Sequence, residues 1–370
     1  EVWKNVLEFD PEKANDFSVI LGARSSMFLP FKELGLIIID EEHESSFKQY
    51  DPAPRYQARD SAIVLAAIHK CNVLLGSATP SIESMYNAKQ GKYALVELKK
   101  RHRDIQMPNV LVADVKEATK RKKMKSHFSP LLLEKMEENL EKGKQVILFQ
   151  NRRGYSPFLL CEVCGNSPQC INCDVSLTYH KYKHELNCHY CGYHIRIPSQ
   201  CPACGSGALK VKGFGTEKIE EELAIYFPGK KISRMDWDTT RGKKSYYNII
   251  TAFENKEIDV LVGTQMITKG LDFDHVGLVG IMNADQMLRF PDFRAYERSF
   301  QLMTQVAGRA GRKNDRGEVV IQTNQVDHPT IRQVVDSKYE EMYKNELVDR
   351  RNFLYPPFVR IIQINLRHKD

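Results

Sequence analysis

Eight of the nine cysteines fall into four pairs of one spacing: "CEVC" (161–164), "CINC" (170–173), "CHYC" (188–191) and "CPAC" (201–204). A C-x-x-C pair on a tight turn aims two thiolates at one ion, and three of the pairs are followed by glycine, at Gly165, Gly192 and Gly205. Eight sulfurs complete two tetrahedral zinc sites of the closed, structural type, each with four cysteine ligands. A disulfide framework is the competing use of paired cysteines, and a chain without a secretory leader disfavours it. Only five residues separate the first and second pairs, which makes it awkward for them to face one metal, whereas fourteen separate the second and third, close to a zinc-ribbon spacer. The spacing therefore predicts a nested arrangement. Cys170, Cys173, Cys188 and Cys191 would hold one Zn²⁺, and Cys161, Cys164, Cys201 and Cys204 the other. His180, His184, His189 and His194 lie nearby but are not needed as ligands, and Cys71 reads as core. A knot of about 45 residues has little apolar core and depends on its metals to fold.

The second chemistry is carried by acids. In "GLIIIDEEHESS" (35–46) an apolar run ends in three carboxylates and a histidine. At the end of a buried strand, Asp40 can hold Mg²⁺ through its waters while Glu41 orients or deprotonates an attacking water, the arrangement nucleotide hydrolysis needs. "GSATPS" (76–81) follows the next apolar run and offers Ser77 and Thr79 on a turn, able to sense the carboxylates. "QVAGRAGR" (305–312) is expected to put Gln305, Arg309 and Arg312 along one helix, with the arginines three apart on one face, able to neutralise charge on a γ-phosphate. "VGTQMITKGLDF" (262–273) places Thr264, Gln265 and Lys269 in a loop suited to a phosphate backbone. In "ESSFKQYDPAPRYQARD" (44–60), Phe47, Tyr50 and Tyr56 can stack on unpaired bases or pack their own loop.

These groups need positioning by strands and helices. Apolar runs at 34–40, 72–80, 145–154, 258–265, 276–282 and 317–323 read as buried parallel strands. Helical patterns lie between them at 216–227, 245–255 and 294–308, and most clearly in "SPLLLEKMEENLEKG", with Ser129 as cap, Pro130 at the first position and Gly143 as stop. Strands alternating with helices predict an α/β fold with ligand loops at the strand C-termini. The basic run "KEATKRKKMKSH" (116–127) reads as an interdomain connection with a solvated charged face.

With 370 residues, 42% of them hydrophobic, the chain can build two or three domains. Lys and Arg total 54 against 47 acidic residues, a net charge of +7 that is compatible with a polyanionic partner. No apolar run reaches the roughly 18–20 residues of a membrane span, so a cytoplasmic chain is expected. It begins at Glu1 and ends within an alternating pattern at Asp370, and is read as part of something longer.

In this order, "DEEH", "GSAT", "GTQMITKGLDF" and "QVAGRAGR" resemble the superfamily 2 helicases. "ILFQNRRGYSPFLLCEVCG", the four cysteine pairs, "GFGTEKIEEEL", "RMDWDTT", "NADQMLRFPDFRAYERSFQLMTQVAGRAGR" and "YPPF" are together similar to the PriA family of replication-restart helicases over nearly the whole chain. The resemblance implies RecA-like lobes with parallel sheets, the first lobe incomplete, and a double-zinc, Cys-rich insertion in the second. It divides the chain into the back part of lobe 1 (1–112), lobe 2 (113–352) containing the zinc insertion (157–212), and the start of a C-terminal domain (353–370). It implies an ATP-dependent 3′-to-5′ DNA helicase acting at stalled forks, with Mg²⁺ and ATP as cofactors. DNA, single-strand-binding protein and primosome proteins are the implied partners, in a cytoplasmic, nucleoid-associated setting. Glu42 and His43 join the catalytic set, Gly270 and Asp272 couple ATP to motion, and Arg24, Arg153, Thr264, Gln265 and Lys269 grip DNA.

One departure from the family matters. A G-x-x-x-x-G-K-[ST] phosphate loop should precede the acidic motif, and the 370 residues contain none; "GFGTEK" (213–218) and "RGKKS" (241–245) have the wrong spacing. The chain alone is therefore expected to be inactive as an ATPase. A non-catalytic zinc-organised DNA-binding scaffold and a superfamily 2 translocase on RNA are the alternatives.

Overall fold

A computed structural model describes residues 19–50, 53–98, 106–151, 158–173, 175–180, 185–188, 191–212, 216–236, 239–240, 243–268, 273–311 and 316–362. The chain forms two compact units that divide between Ala94 and Leu95. In the first unit β1 (Leu36–Ile39) and β2 (Asn72–Leu75) pair in parallel, with α1 (Ala58–His69) against them and α2 (Ile82–Lys89) following. Both strands were expected to be buried throughout. Ile39 is buried, but Leu36, Ile38 and Leu74 are exposed, because among the described residues α1 is the element laid on this two-stranded sheet.

The second unit is built on a six-stranded sheet in the order β10-β11-β4-β12-β13-β3, parallel throughout. These strands are β3 (Asn109–Asp114), β4 (Gln145–Phe149), β10 (Ile232–Met235), β11 (Val260–Gly263), β12 (Val276–Ile281) and β13 (Glu318–Thr323). The four central strands were legible as apolar runs because they are buried on both faces. The edge strands β3 and β10, which mix polar residues into the run, were not. Because β3 pairs with β13, position 112 lies inside this sheet, and the basic segment 116–127 belongs to the second unit and does not bridge the two. Its first part is α3 (Val115–Lys120).

Helix α4 (Pro130–Glu141) starts where Ser129 accepts a hydrogen bond from the Leu132 amide and stops before Gly143, whose φ of +66° needs no Cβ. Leu132, Met136 and Leu140, four apart, turn one face into the core with Val146, Leu148, Leu278 and Val320. Helices α5 (Thr216–Tyr226), α6 (Lys243–Glu254), α7 (Ala284–Leu288), α8 (Ala295–Ala307), α9 (Pro329–Val335) and α10 (Tyr339–Asn352) complete the unit. Between β4 and α5 an antiparallel pair, β5 (Phe158–Cys161) with β9 (Leu209–Lys212), brackets the cysteine-rich segment. That segment contains a three-stranded antiparallel sheet of β6 (Thr178–His180), β7 (Glu185–Asn187) and β8 (His194–Arg196). No helix among the described residues is long and apolar enough to cross a membrane.

Candidate nucleotide site and metal centres

In the first unit the acidic motif follows directly on the end of β1. Gly76 N donates to the Ile39 carbonyl at 2.8 Å and Glu42 N to the Gly76 carbonyl at 3.0 Å, so the turns after β1 and β2 are stitched together. Asp40 is exposed, and its carboxylate accepts from the Glu41 amide at 3.0 Å. Glu41 sits in the left-handed region at φ +50°, a conformation non-glycine residues hold where surrounding contacts enforce it. His43 Nδ1 lies 2.7 Å from Ser77 Oγ and 3.6 Å from Glu41 Oε2, and Ser77 Oγ also accepts from the Thr79 amide at 3.0 Å. The acidic and hydroxyl motifs are thus one hydrogen-bonded set.

Glu42 stands apart from its neighbours. It is 2% exposed, and its oxygens accept from the Ser81 amide at 2.7 Å, Ser81 Oγ at 3.1 Å, Ser84 Oγ at 2.8 Å and Arg59 Nη1 at 3.0 Å. This places it as a clamp between β1, the start of α2 and α1. Burial works against the Arg59 guanidinium, but Asp60 and Glu42 outweigh it and hold its pKa above the usual value. Arg59, Ser81 and Ser84 were not singled out in the sequence; Ser81 as a helix cap was the one signal available.

The aromatic loop divides. Tyr56 packs edge-on against Phe28 with centroids 4.8 Å apart, Phe47 is half-buried, and Tyr50 is 65% exposed. Arg24 donates to the carbonyls of Ser46 and Lys48 at 2.9 and 3.4 Å, bracing that loop from below.

In the second unit Thr264 and Gln265 follow β11, and Gly263 before them is required because a Cβ would lie 2.5 Å from Ile267 Cγ2 and 3.1 Å from the Met235 carbonyl. Gln305 lies on α8, but the helix ends at Ala307 with Gly308 as its cap, so Arg309 falls beyond the helix that was expected to carry it. Two glycines break the helix: after Gly308, Gly311 turns to φ +70° and donates to the Val276 carbonyl at 3.0 Å. Arg309 is half-buried in the turn between them. Arg153, Lys269, Gly270, Asp272 and Arg312 lie outside the described residues.

The cysteines assemble as the nested spacing predicted: Cys161, Cys164, Cys201 and Cys204 in one cluster, Cys170, Cys173, Cys188 and Cys191 in the other, with all sulfurs of a cluster within 4.8 Å of one another. Sγ separations of 3.6 Å (Cys161–Cys204), 3.5 Å (Cys164–Cys201) and 3.5 Å (Cys170–Cys191) approach the ~3.8 Å that tetrahedral Zn–S bonds impose. The knuckles close with amides of Gly165, Gly192 and Gly205 donating to the carbonyls of Cys161, Cys188 and Cys201 at 2.8, 3.1 and 2.8 Å, each glycine at positive φ. Four soft thiolates on tight turns fit Zn²⁺ with no open ligand position. His194 is exposed with Nδ1 3.3 Å from the Gly192 carbonyl.

Two fastenings of this module were not foreseen. The buried Arg289, on the turn after α7, donates to the Gly165 carbonyl, which also accepts from Gln325 Nε2 at 3.2 Å. Tyr355 Oη donates to the Cys173 carbonyl at 2.8 Å.

Residues 170–196 match the family profile described as the PriA DNA helicase Cys-rich region domain, and 214–314 match the helicase conserved C-terminal domain. The chain is similar to the replication restart protein PriA of Bacillus subtilis, 47% identical over 352 residues, which cover 95% of this chain and 44% of that protein. It is also similar to that of Haemophilus influenzae, 43% identical over 364 residues, covering 98% of this chain and 49% of that protein. The chain thus spans about half the length of these curated relatives. Among solved structures, that of RecG bound to a three-way DNA junction aligns over 87% of this chain and 31% of that one, with a TM-score of 0.44 and 13% identity.

Proposed function

The chain belongs to the PriA family of replication restart proteins, and from that premise we propose that it carries the water-activating and strand-gripping parts of an ATP-dependent 3′-to-5′ DNA helicase acting at stalled replication forks. One observation carries the catalytic half of this reading: Glu41, His43 and Ser77 form a connected set at the ends of two parallel strands. Glu41 orients the attacking water and takes its proton as the terminal P–O bond of ATP breaks. Asp40, exposed at the strand end, is the group that would hold Mg²⁺, whose charge neutralises the phosphate oxygens when bound. His43 passes the state of Glu41 to Ser77 and Thr79. Gln305, Arg309 and Arg312 are assigned to neutralising phosphoryl charge, and Gly270 and Asp272 to coupling hydrolysis to movement. Glu42, with its four donors, braces this arrangement and does not touch nucleotide.

Arg24, Arg153, Thr264, Gln265 and Lys269 grip the strand backbone, and the exposed Tyr50, with Phe47, offers stacking surfaces; Tyr56 supports them through Phe28. The two four-cysteine clusters hold Zn²⁺ as structural metals. Single-strand-binding protein and the primosome proteins are the partners this reading assigns to the whole protein, in association with the nucleoid.

Because the 370 residues contain no G-x-x-x-x-G-K-[ST] sequence, turnover requires a phosphate cradle from elsewhere. ATP hydrolysis, with and without forked DNA, measured for this chain beside the complete gene product, tests the proposal. The complete protein should turn over, be stimulated by forked DNA and lose activity in Glu41→Gln, while this chain stays inert. If both are inert with their metals in place, the motor reading gives way to a DNA-binding scaffold.

A further inference from the structure

The basic run at 116–125 has no role in the reading above, yet the fold sets it beside a cavity. The cavity, of about 280 Å³, lies among residues at and beyond the C-terminal ends of β12, β13 and β3, the end of a parallel sheet where loops converge on ligands. Phe158 and Leu160 of β5 form one wall, and Met124 and Met282 another. Its polar lining includes Asn283 and Asn324. Asn283 Oδ1 is fixed by the Gln286 amide and Asn324 Nδ2 by the Asp285 carboxylate. Each asparagine thereby keeps one group, a donor Nδ2 on Asn283 and an acceptor Oδ1 on Asn324, that no described residue engages. A donor and an acceptor beside apolar walls suit the edge and face of a nucleobase.

Charge decides the orientation of such a ligand. Among the described lining residues Glu162 and Asp285 are acids and none is Lys or Arg, so a phosphate is unwelcome beside them. Outside, the chain that supplies Val115, Thr119 and Met124 to the lining carries Lys120, Lys122 and Lys123, all exposed and without an acidic partner among the described residues. The neighbouring cations are committed: Arg121 pairs with Glu117 at 2.6 Å, and Lys125 lies 5.9 Å over the Tyr226 ring. Cations left without an acidic partner beside a slot whose acids turn phosphate away match one unit of a single strand, base inside and phosphodiester outside.

We propose that this cavity and Lys120, Lys122 and Lys123 form a further single-stranded DNA contact, which captures one base on the β12–β13–β3 half of the sheet. Thr264 and Gln265 lie on the other half, since β4 separates β11 from β12. The contact rests on the strand-translocation reading and lengthens the path of the strand across the second unit.

The test uses the metal-loaded chain and a thymidine oligonucleotide carrying photoreactive 4-thiothymidine, with fluorescence anisotropy at several salt concentrations. Cross-links should map to the peptides around Met124, Phe158 or Asn283. Lys120→Gln/Lys122→Gln/Lys123→Gln should lower the slope of log affinity against log salt by about 2, three phosphate contacts at roughly 0.7 each. Met124→Trp, which fills the cavity, should weaken binding about fivefold or more with the salt slope unchanged, as loss of one stacked base would. Both variants should keep two metal ions and the parental melting temperature. Binding by the parent that neither variant alters, with no cross-link in the cavity, overturns this contact alone. A parent that binds no single strand takes the translocation reading down with it, and ATP present before irradiation abolishing the cavity cross-link overturns the assignment to a strand.

Discussion

The Tyr355 hydroxyl donates to the Cys173 carbonyl at 2.8 Å, tying the second cysteine cluster to the chain just after α10. The Tyr355 ring stacks on Phe293 at 4.4 Å and 11°, and Phe293 lies just ahead of α8, against the Arg350 guanidinium at 5.3 Å. Arg350 in turn donates to Glu297 on α8 at 2.7 Å. The first cluster is fastened through the Gly165 carbonyl by Arg289 and Gln325. A module whose own apolar core amounts to Leu159, Val175, Leu177, Leu186 and their neighbours is held to the rest of the second unit at the backbone of each cluster.

Removing only the hydroxyl isolates this fastening. Tyr355→Phe keeps the stack on Phe293 and loses one hydrogen bond, which should cost about 1 kcal/mol and lower the melting midpoint by about 2–4 °C. Chelator should then extract the metal of the second cluster faster while the first releases at the parental rate. A variant that melts and releases metal as the parent does would show that the contact carries no weight.

The nested clusters set a stoichiometry. Metal analysis should find two zinc ions per chain, with Cys170→Ser and Cys201→Ser each losing one and the remaining ion resisting dilute chelator. Loss of both ions from either single variant would mean that the clusters do not fold independently.

What the sequence disclosed and what it withheld separate along physical lines. Helix α4 was legible end to end because its cap, first-turn proline, apolar spacing and stop glycine are all local. The cluster pairing was legible because a fourteen-residue spacer restricts which knuckles can meet. Arg289 and Tyr355 left no such mark: they reach carbonyls 124 and 182 residues away, and a carbonyl acceptor is the same whatever residue carries it. Glu42 was placed with the catalytic acids by the family resemblance, yet the αL turn at Glu41 sends neighbouring carboxylates to different environments.

That divergence can be measured. Glu42→Ala takes one of two carboxylate partners from the half-buried Arg59 cation and the acceptor from the Ser81 amide, so the first unit should lose about 2–3 kcal/mol, read as faster hydrogen exchange across 58–89. Glu41→Gln should change stability by less than about 0.5 kcal/mol and, in the complete protein, abolish turnover. Reversed effects would exchange the roles of the two residues.

His328 gives the second unit an acid sensitivity whose sign follows from its surroundings. Its Nδ1 accepts from the Thr330 amide at 3.2 Å to cap α9, which requires the neutral ring. Burial, with the Arg289 charge, pushes its pKa down to about 4. Between about 6.5 and 4 the unfolded chain binds a proton that the folded chain refuses, so this contribution is complete above 6.5 and is lost as pH falls. Glu346 acts in the opposite sense. Burial, with Glu297 and Asp349 adding to it and Arg350 opposing, lifts its pKa to about 8, so the folded carboxyl keeps a proton that the unfolded one releases above about 4.5, and stability falls as pH rises toward 8. The two slopes oppose each other in the parent, and only a variant separates them. His328→Asn preserves a capping acceptor without a titrating ring. At pH 5, 1.5 units below the ordinary histidine value, it should be more stable than the parent by about 2 kcal/mol, and the two should converge above pH 7. Parallel stability profiles from pH 5 to 7.5 in urea unfolding would place the acid sensitivity elsewhere.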